Sequence, residues 1–181
     1  MNYICHSGGA LGADIEWEIQ GKKYGVYTIA YSFYNHNQKG KNPKILAVSE
    51  LEEGYQHVLE ANKTLKRNLQ GTFQYVRNLL SRSWFQVKNS DSIFAIAMLA
   101  NQSQVKRGTG WAVQMAIDNK KPVFVNDQIK EDWLRFDYEH NMFVPMGGVI
   151  PKLTENFAGI GTRDINDSGK NAIKQVYENT F

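Results

Sequence analysis

The chain has 181 residues, 42% hydrophobic and 22% charged, a balance that excludes disorder and suffices to bury roughly two-thirds of the unfolded surface in one domain without a disulfide or metal framework. A formal net charge of +3 with no cluster of Lys and Arg argues against a surface that tracks nucleic-acid phosphates. The single cysteine, Cys5, excludes an internal disulfide, and no apolar stretch approaches a signal-peptide core or a membrane-spanning helix, so the expected setting is a reducing cytoplasm.

Residues 2–5 predict a short strand, and the glycine-rich run Ser7-Gly8-Gly9-Ala10-Leu11-Gly12-Ala13-Asp14 then opens a helix to about Lys23. Residues 25–33, aromatic and β-branched, predict a second strand. The stretch 35–44, with Lys39, Lys41 and Lys44, reads as a solvated loop. Ser49-x-x-Glu52 has the spacing of a capping box ahead of a helix from Leu51 to Leu69. A further helix covers Phe73 to Val87, where Val76, Leu79, Leu80 and Trp84 share one face.

Residues 92–98 form an apolar run short enough for a strand buried on both faces. A polar loop from 100 to 107 leads into Gly108-Thr109-Gly110, a helix from Trp111 to Asn119, and a strand over 122–125. The segment 133–144 mixes aromatic and polar residues without a clear period, as a hairpin or a covering flap would. Residues 157–160 give a last strand, which runs into Gly159-Ile160-Gly161-Thr162-Arg163, and 164–180 a last helix. This alternation predicts an α/β three-layer sandwich, with a mostly parallel central sheet and helices on both faces.

Three glycine turns, Ser7 to Gly12, Gly108 to Gly110 and Gly159 to Arg163, stand at strand–helix junctions. In an open parallel sheet such junctions bring backbone N–H groups to an anion beyond the carboxyl ends of the strands. One such turn is ordinary loop chemistry; three together point to a shared phosphate-binding crevice.

The first turn resembles the Ser-Gly-x-Ala-x-Gly-x-Asp motif of the DNA-processing DprA proteins, and Gly159 to Arg163 resembles the Gly-Thr-Arg turn that opens their Rossmann-like domain. Arg77-Asn78 is similar to their Arg-Asn pair ahead of a central strand. Gly108-x-Gly110 with its helix is similar to the Gly-Gly-x-Gly-Thr-x-x-Glu loop of the LOG phosphoribohydrolases. All belong to the SLOG superfamily of Rossmann-like domains that bind nucleotides, nucleotide derivatives or nucleic acid. The resemblance covers about half the chain and leaves 34–70 and 128–155 outside it. Its motif order is circularly permuted, since the turn that comes first in those relatives comes last here.

The resemblance implies a site built from Ser7, Gly8, Gly9, Ala10, Gly12 and Asp14, from Arg77, from Gly108, Thr109, Gly110, Trp111 and Gln114, and from Gly159, Gly161, Thr162 and Arg163. His6, directly after the first strand, points to the same mouth. Each has a bland alternative: a tight turn for the glycines, a helix-dipole carboxylate for Asp14, a surface salt bridge for Arg163, a structural role for His6, core packing for Trp111. Tyr31, Ser32, Phe33 and Asp127 are weaker candidates at the cleft rim. Gln114 falls on the catalytic glutamate of the LOG motif, and an amide cannot act as a carboxylic acid in glycosidic cleavage.

The leading expectation is therefore binding of a small nucleotide-derived ligand, an ADP-ribose derivative or a signalling nucleotide, without turnover. Sequestration of a nucleotide immune signal by a phage-type protein would fit that expectation. Two alternatives stay open: an N-glycosidic or phosphoribosyl hydrolase using Asp14 or Asp127, and a DprA-like nucleic-acid module, disfavoured by the low charge. No cofactor is expected, and no set of His, Cys and carboxylates has metal-ligand spacing. The resemblance implies pairing into a homo-oligomer, with 133–144 covering either an interface or the cleft.

Overall fold

A computed structural model describes residues 2–181. A strand–helix–strand unit comes first: β1 (Ile4–Ser7), α1 (Ala13–Lys23) and β2 (Tyr27–Ser32). The stretch expected to be loop alone also supplies β3 (Pro43–Ile45), an exposed edge strand parallel to β2. A proline is tolerated there because the outer side of an edge strand needs no ladder donor.

Two helices follow, α2 (Val48–Leu65) and α3 (Gln74–Lys88). The expected capping box at Ser49 and Glu52 is not used. Glu50, one turn inside the helix, accepts the Ala47 N–H at 2.7 Å, so α2 begins three residues earlier than the pattern suggests. The two helices approach closely at Gly54, where a Cβ would stand 2.2 Å from the Ser81 carbonyl oxygen.

β4 (Ser92–Ala97) is buried at every position. Next come α4 (Thr109–Asp118) and β5 (Val123–Asp127). β6 (Asp132–Asp137) and β7 (Met142–Pro145) make an antiparallel hairpin that widens the sheet beyond β5. Of the two expectations for 133–144 the hairpin is realised: Trp133, Leu134, Phe136 and Phe143 are buried against the sheet rather than over the cleft. The chain closes with β8 (Asn156–Gly161) and α5 (Asp167–Thr180).

The sheet has the order β3-β2-β1-β8-β4-β5-β6-β7, and its first six strands run parallel. α1 and α5 cover one face, packing Trp17, Ile173, Val176 and Tyr177 on Phe94 and Phe157. α2, α3 and α4 cover the other, where Val58, Phe85, Trp111 and Met115 meet Tyr31, Ile93 and Ala95. The fold is thus a Rossmann-like three-layer α/β sandwich. Among the described residues no helix is long and apolar enough to cross a membrane.

The last strand is a central one. β8 lies between β1 and β4, parallel to both, where the chain turns to one edge through β2 and β3 and to the other through β4 and β5. Such a reversal of strand order is where open α/β sheets form their crevice.

Candidate functional site

The three glycine turns meet above the carboxyl ends of β1, β8 and β4. Cys5 pairs with Phe157 and His6 with Ala158, so β1 and β8 deliver their turns side by side. The Ala13 N–H donates to the Thr162 carbonyl at 2.9 Å, and the Thr162 N–H to the Ile96 carbonyl at 2.8 Å. Gly12 makes the junction possible: its φ is 100°, and a Cβ would lie 2.5 Å from both Arg163 Cα and the Thr162 oxygen. An ion pair between Arg107 and Asp164 joins the second turn to the third.

Between these turns and α3 lies a cleft of about 390 Å³, within the roughly 300–1,000 Å³ range of small-molecule sites. Its apolar part comes from Val76, Leu79 and Leu80 of α3, from Ala97 and Met98, from Ala112, and from Ile160. Its polar part carries four cationic side chains, Arg82, Lys106, Arg107 and Arg163, against two carboxylates, Asp14 and Asp164. Asp164 is already paired with Arg107, so the free charge in the cleft is positive.

Arg82 is the feature that sequence reasoning missed. It is 7% exposed and lines the cleft, its Nε has no hydrogen-bond partner, and among the described residues no carboxylate lies within ion-pair distance of it. Gly8 makes room for it, since a Cβ there would sit 1.6 Å from Nη1. Burial pulls the Arg82 pKa below its usual value; nearby Asp14 opposes that shift and Arg163 adds to it. A signal for it was present in the sequence. On α3, Arg82 follows Leu79 by three positions, so it falls on the inward stripe where an apolar residue would be expected.

Asp14 faces the cleft floor. Its carboxylate accepts the Ala10 N–H at 3.3 Å. Burial raises its pKa, while Arg82 and the N–H groups of Ala10, Gly8 and Gly161 act to lower it. Of the helix N-termini here, that of α5 is closed by Asn166, whose Oδ1 accepts the Gly169 N–H at 2.8 Å. At α1 the first amide goes to Thr162. The α4 N-terminus has no side-chain cap and lines the cleft at Gly108 and Thr109; the Gly110 and Trp111 amides turn back to the Arg107 and Gly108 carbonyls, which leaves the Gly108 and Thr109 amides for an anion.

Ala10, Asp14, Gly108, Thr109, Gly161, Thr162 and Arg163 all line the cleft, and Gly8, Gly9 and Gly12 shape its first turn. Others lie elsewhere. β1 runs on to Ser7, and strand alternation turns His6 to the face under α3, where Nδ1 is 3.0 Å from the Tyr31 hydroxyl. Ser7 is buried, its hydroxyl unpartnered.

Arg77 faces α2, its guanidinium 4.1 Å over the Tyr55 ring in a separate depression. Trp111 is buried in the core with Arg67 over its ring at 5.4 Å, and Gln114, also buried, donates to Asp118 at 2.8 Å. Helical phase is the reason: α4 starts at Thr109, so Ala112 faces the cleft and Trp111 and Gln114 do not. Gly110 and Gly159 serve packing, against the Val105 carbonyl and the Trp17 ring. Asp127 accepts the amides of Leu99 and Ile129, and Ser32 bonds His36.

Asp137, Glu139 and His140 bring three metal-capable groups together at the exposed β6–β7 turn, outside the cleft lining. The chain matches no protein family, no curated protein and no solved structure.

Proposed function

We propose that this chain binds a small nucleotide-derived ligand, an ADP-ribose derivative or a signalling nucleotide, in the cleft between its three glycine turns, and holds it without turnover. Arg82 carries the reading. A buried guanidinium that makes no ion-pair contact, eased only by the nearby charge of Asp14 and with its Nε unpartnered, is costly to the fold, and its placement above Gly8 beside Arg163 and the α4 N-terminus suits a phosphate group. The apolar wall of Leu79, Leu80, Ala112 and Ile160 suits a base or ribose face. Sequestration of a nucleotide signal is the role that fits a binder of this kind.

Absence of turnover is supported by the carboxylates. Asp164 is paired with Arg107, Asp127 holds backbone amides, and the residue at the LOG glutamate position, Gln114, is turned into the core. One observation favours hydrolysis as a second reading: Asp14 lines the cleft with a raised pKa, a property of general acids. Thermal-shift titration with ADP-ribose, its cyclic isomers, cyclic dinucleotides and mononucleotides tests the binding. No stabilisation by any of them would sink it. Chromatography of a stabilising ligand recovered after denaturation separates the two readings: intact ligand supports holding, free base or ribose phosphate supports cleavage.

A further inference from the structure

The second glycine turn is held from outside the cleft, by the end of a helix that contributes nothing to the lining. α2 stops at Leu65, and Lys66 closes it in the left-handed conformation with its N–H on the Asn62 carbonyl at 2.8 Å. The Asn62 side chain then grips the next residue by both backbone groups: Oδ1 accepts the Arg67 N–H and Nδ2 donates to the Arg67 carbonyl, each at 2.9 Å. The root of the Arg67 side chain is thereby fixed.

Its guanidinium crosses to the loop ahead of α4. Nη2 donates to the Val105 carbonyl at 2.7 Å, Nη1 donates to the Arg107 carbonyl, and the group lies 5.4 Å over the Trp111 ring. A planar fork takes two carbonyls at once, which the point charge of an ammonium does not reproduce. Gly110 leaves room for it, since a Cβ there would stand 2.7 Å from Nη2 and 2.1 Å from the Val105 oxygen. Arg107 itself has a φ of 58°, a left-handed conformation that a non-glycine residue keeps only where its surroundings over-determine it. The Gln104 side chain donates to the Thr64 carbonyl at 3.3 Å and ties the same loop to the same helix end.

The residues around Arg107 form the α4 side of the cleft. Lys106, Arg107, Gly108 and Thr109 line it, and Arg107 carries the ion pair to Asp164 of the third turn. Each takes its direction from the turn at Arg107. Arg67 is outside the lining, and because Lys106, Arg107 and Gly108 are exposed, water would satisfy the Arg107 carbonyl without it. Hydrogen-bond satisfaction alone therefore does not account for the fork.

We propose that Arg67 is a positioning residue for the anion site: without touching the ligand, its fork sets the left-handed turn at Arg107 and so aims Lys106 and the α4 amides at a phosphate. This rests on the nucleotide-binding reading above and deepens it, by assigning one phosphate of the ligand to the start of α4.

The test is calorimetry on the full chain with AMP, ADP-ribose and cyclic diadenylate. For each that binds the parent, Arg67→Lys, which keeps the charge and loses the fork, should weaken binding about tenfold or more. Its melting temperature should stay within a few degrees of the parent's. Arg67→Gln, which reaches one carbonyl without a charge, repeats the comparison in a second background. Lys63→Gln, one turn earlier and paired with exposed Glu60 at 2.6 Å, should change nothing. Coupling separates positioning from a general loosening of the fold: Lys106→Gln should weaken binding several-fold in the parent and much less in either Arg67 variant, where the ammonium is no longer aimed. Affinity retained in both Arg67 variants, or a Lys106→Gln effect of equal size in every background, overturns the positioning role and spares the nucleotide reading. Failure of all three ligands to bind the parent overturns both.

Discussion

Arg82 separates binding from stability by the size of its two effects. It makes no ion-pair contact, but its charge offsets that of the buried Asp14, so Arg82→Met should lower the melting temperature by only a few degrees. Affinity for a phosphate-bearing ligand should fall at least about tenfold, since a charge-assisted hydrogen bond contributes roughly 1.5–3 kcal/mol. Parallel thermal unfolding and calorimetry read the two effects. Gly8→Ala makes the same point from the other side: the added methyl collides with the flexible end of Arg82 and not with backbone. It should weaken phosphate binding several-fold while moving the melting temperature by only a few degrees.

His36 gives the residue-scale pH dependence. Its Nδ1 bonds the Ser32 hydroxyl at 2.9 Å and its ring stacks on Phe33. Burial, with Arg82 and Arg163 nearby, lowers its pKa to about 4 from an ordinary 6.5. The unfolded chain therefore takes up the proton first, so the stability from a neutral His36 is complete above about pH 6.5 and is lost as pH falls toward about 4. The ring is half-exposed, so screening limits the contribution to no more than about 2 kcal/mol. Melting temperatures from pH 7 to 4.5 should fall more steeply for the parent than for His36→Asn; equal slopes would remove His36 from the acid response.

At the scale of elements, the junction of the first and third turns is the point least tolerant of change. Gly12 combines a positive φ with backbone of Thr162 and Arg163 at 2.5 Å from a would-be Cβ, so neither a side-chain rotation nor a small shift relieves Gly12→Ala. We expect a loss of about 2–3 kcal/mol or more, read by denaturant unfolding. The glycine turns were legible as turns because φ and spacing leave a local mark. Their separate duties were not, since Gly110 against Val105 and Gly159 against Trp17 differ from Gly12 only in what another segment places beside them. The helix starts show the same limit: α2 is capped by Glu50 rather than by Ser49 and Glu52, and starting α4 at Thr109 turns Ala112, not Trp111 or Gln114, to the cleft.

For the whole molecule, the position of β8 and the meeting of the chain ends suggest a direct experiment. The Tyr3 and Phe181 rings are 4.8 Å apart, and the β7–β8 connection has an exposed turn at Gly147 and Gly148. A permutant opened there, with Phe181 joined to Asn2 by about five flexible residues, would place Gly-Ile-Gly-Thr-Arg in its first strand. Permutation at exposed turns with adjacent ends is well tolerated. We expect a folded protein with the parent's circular dichroism and a melting temperature within roughly ten degrees of it. A permutant that stays unfolded would count against β8 as an interchangeable first strand.

The sequence by itself determined the alternation of strands and helices, the mostly parallel sheet, and the presence of three glycine turns at strand–helix junctions. These follow from hydrophobic period, turn chemistry and glycine spacing, which are local properties of the chain. Only the tertiary structure decided that the last strand is central, that the three turns share one cleft, that Arg82 rather than Arg77 reaches it, and that His6, Trp111 and Gln114 do not. Those outcomes depend on strand order, register and helical phase. They are set by contacts between residues as far apart as Ala13 and Thr162, which no pattern along the chain records.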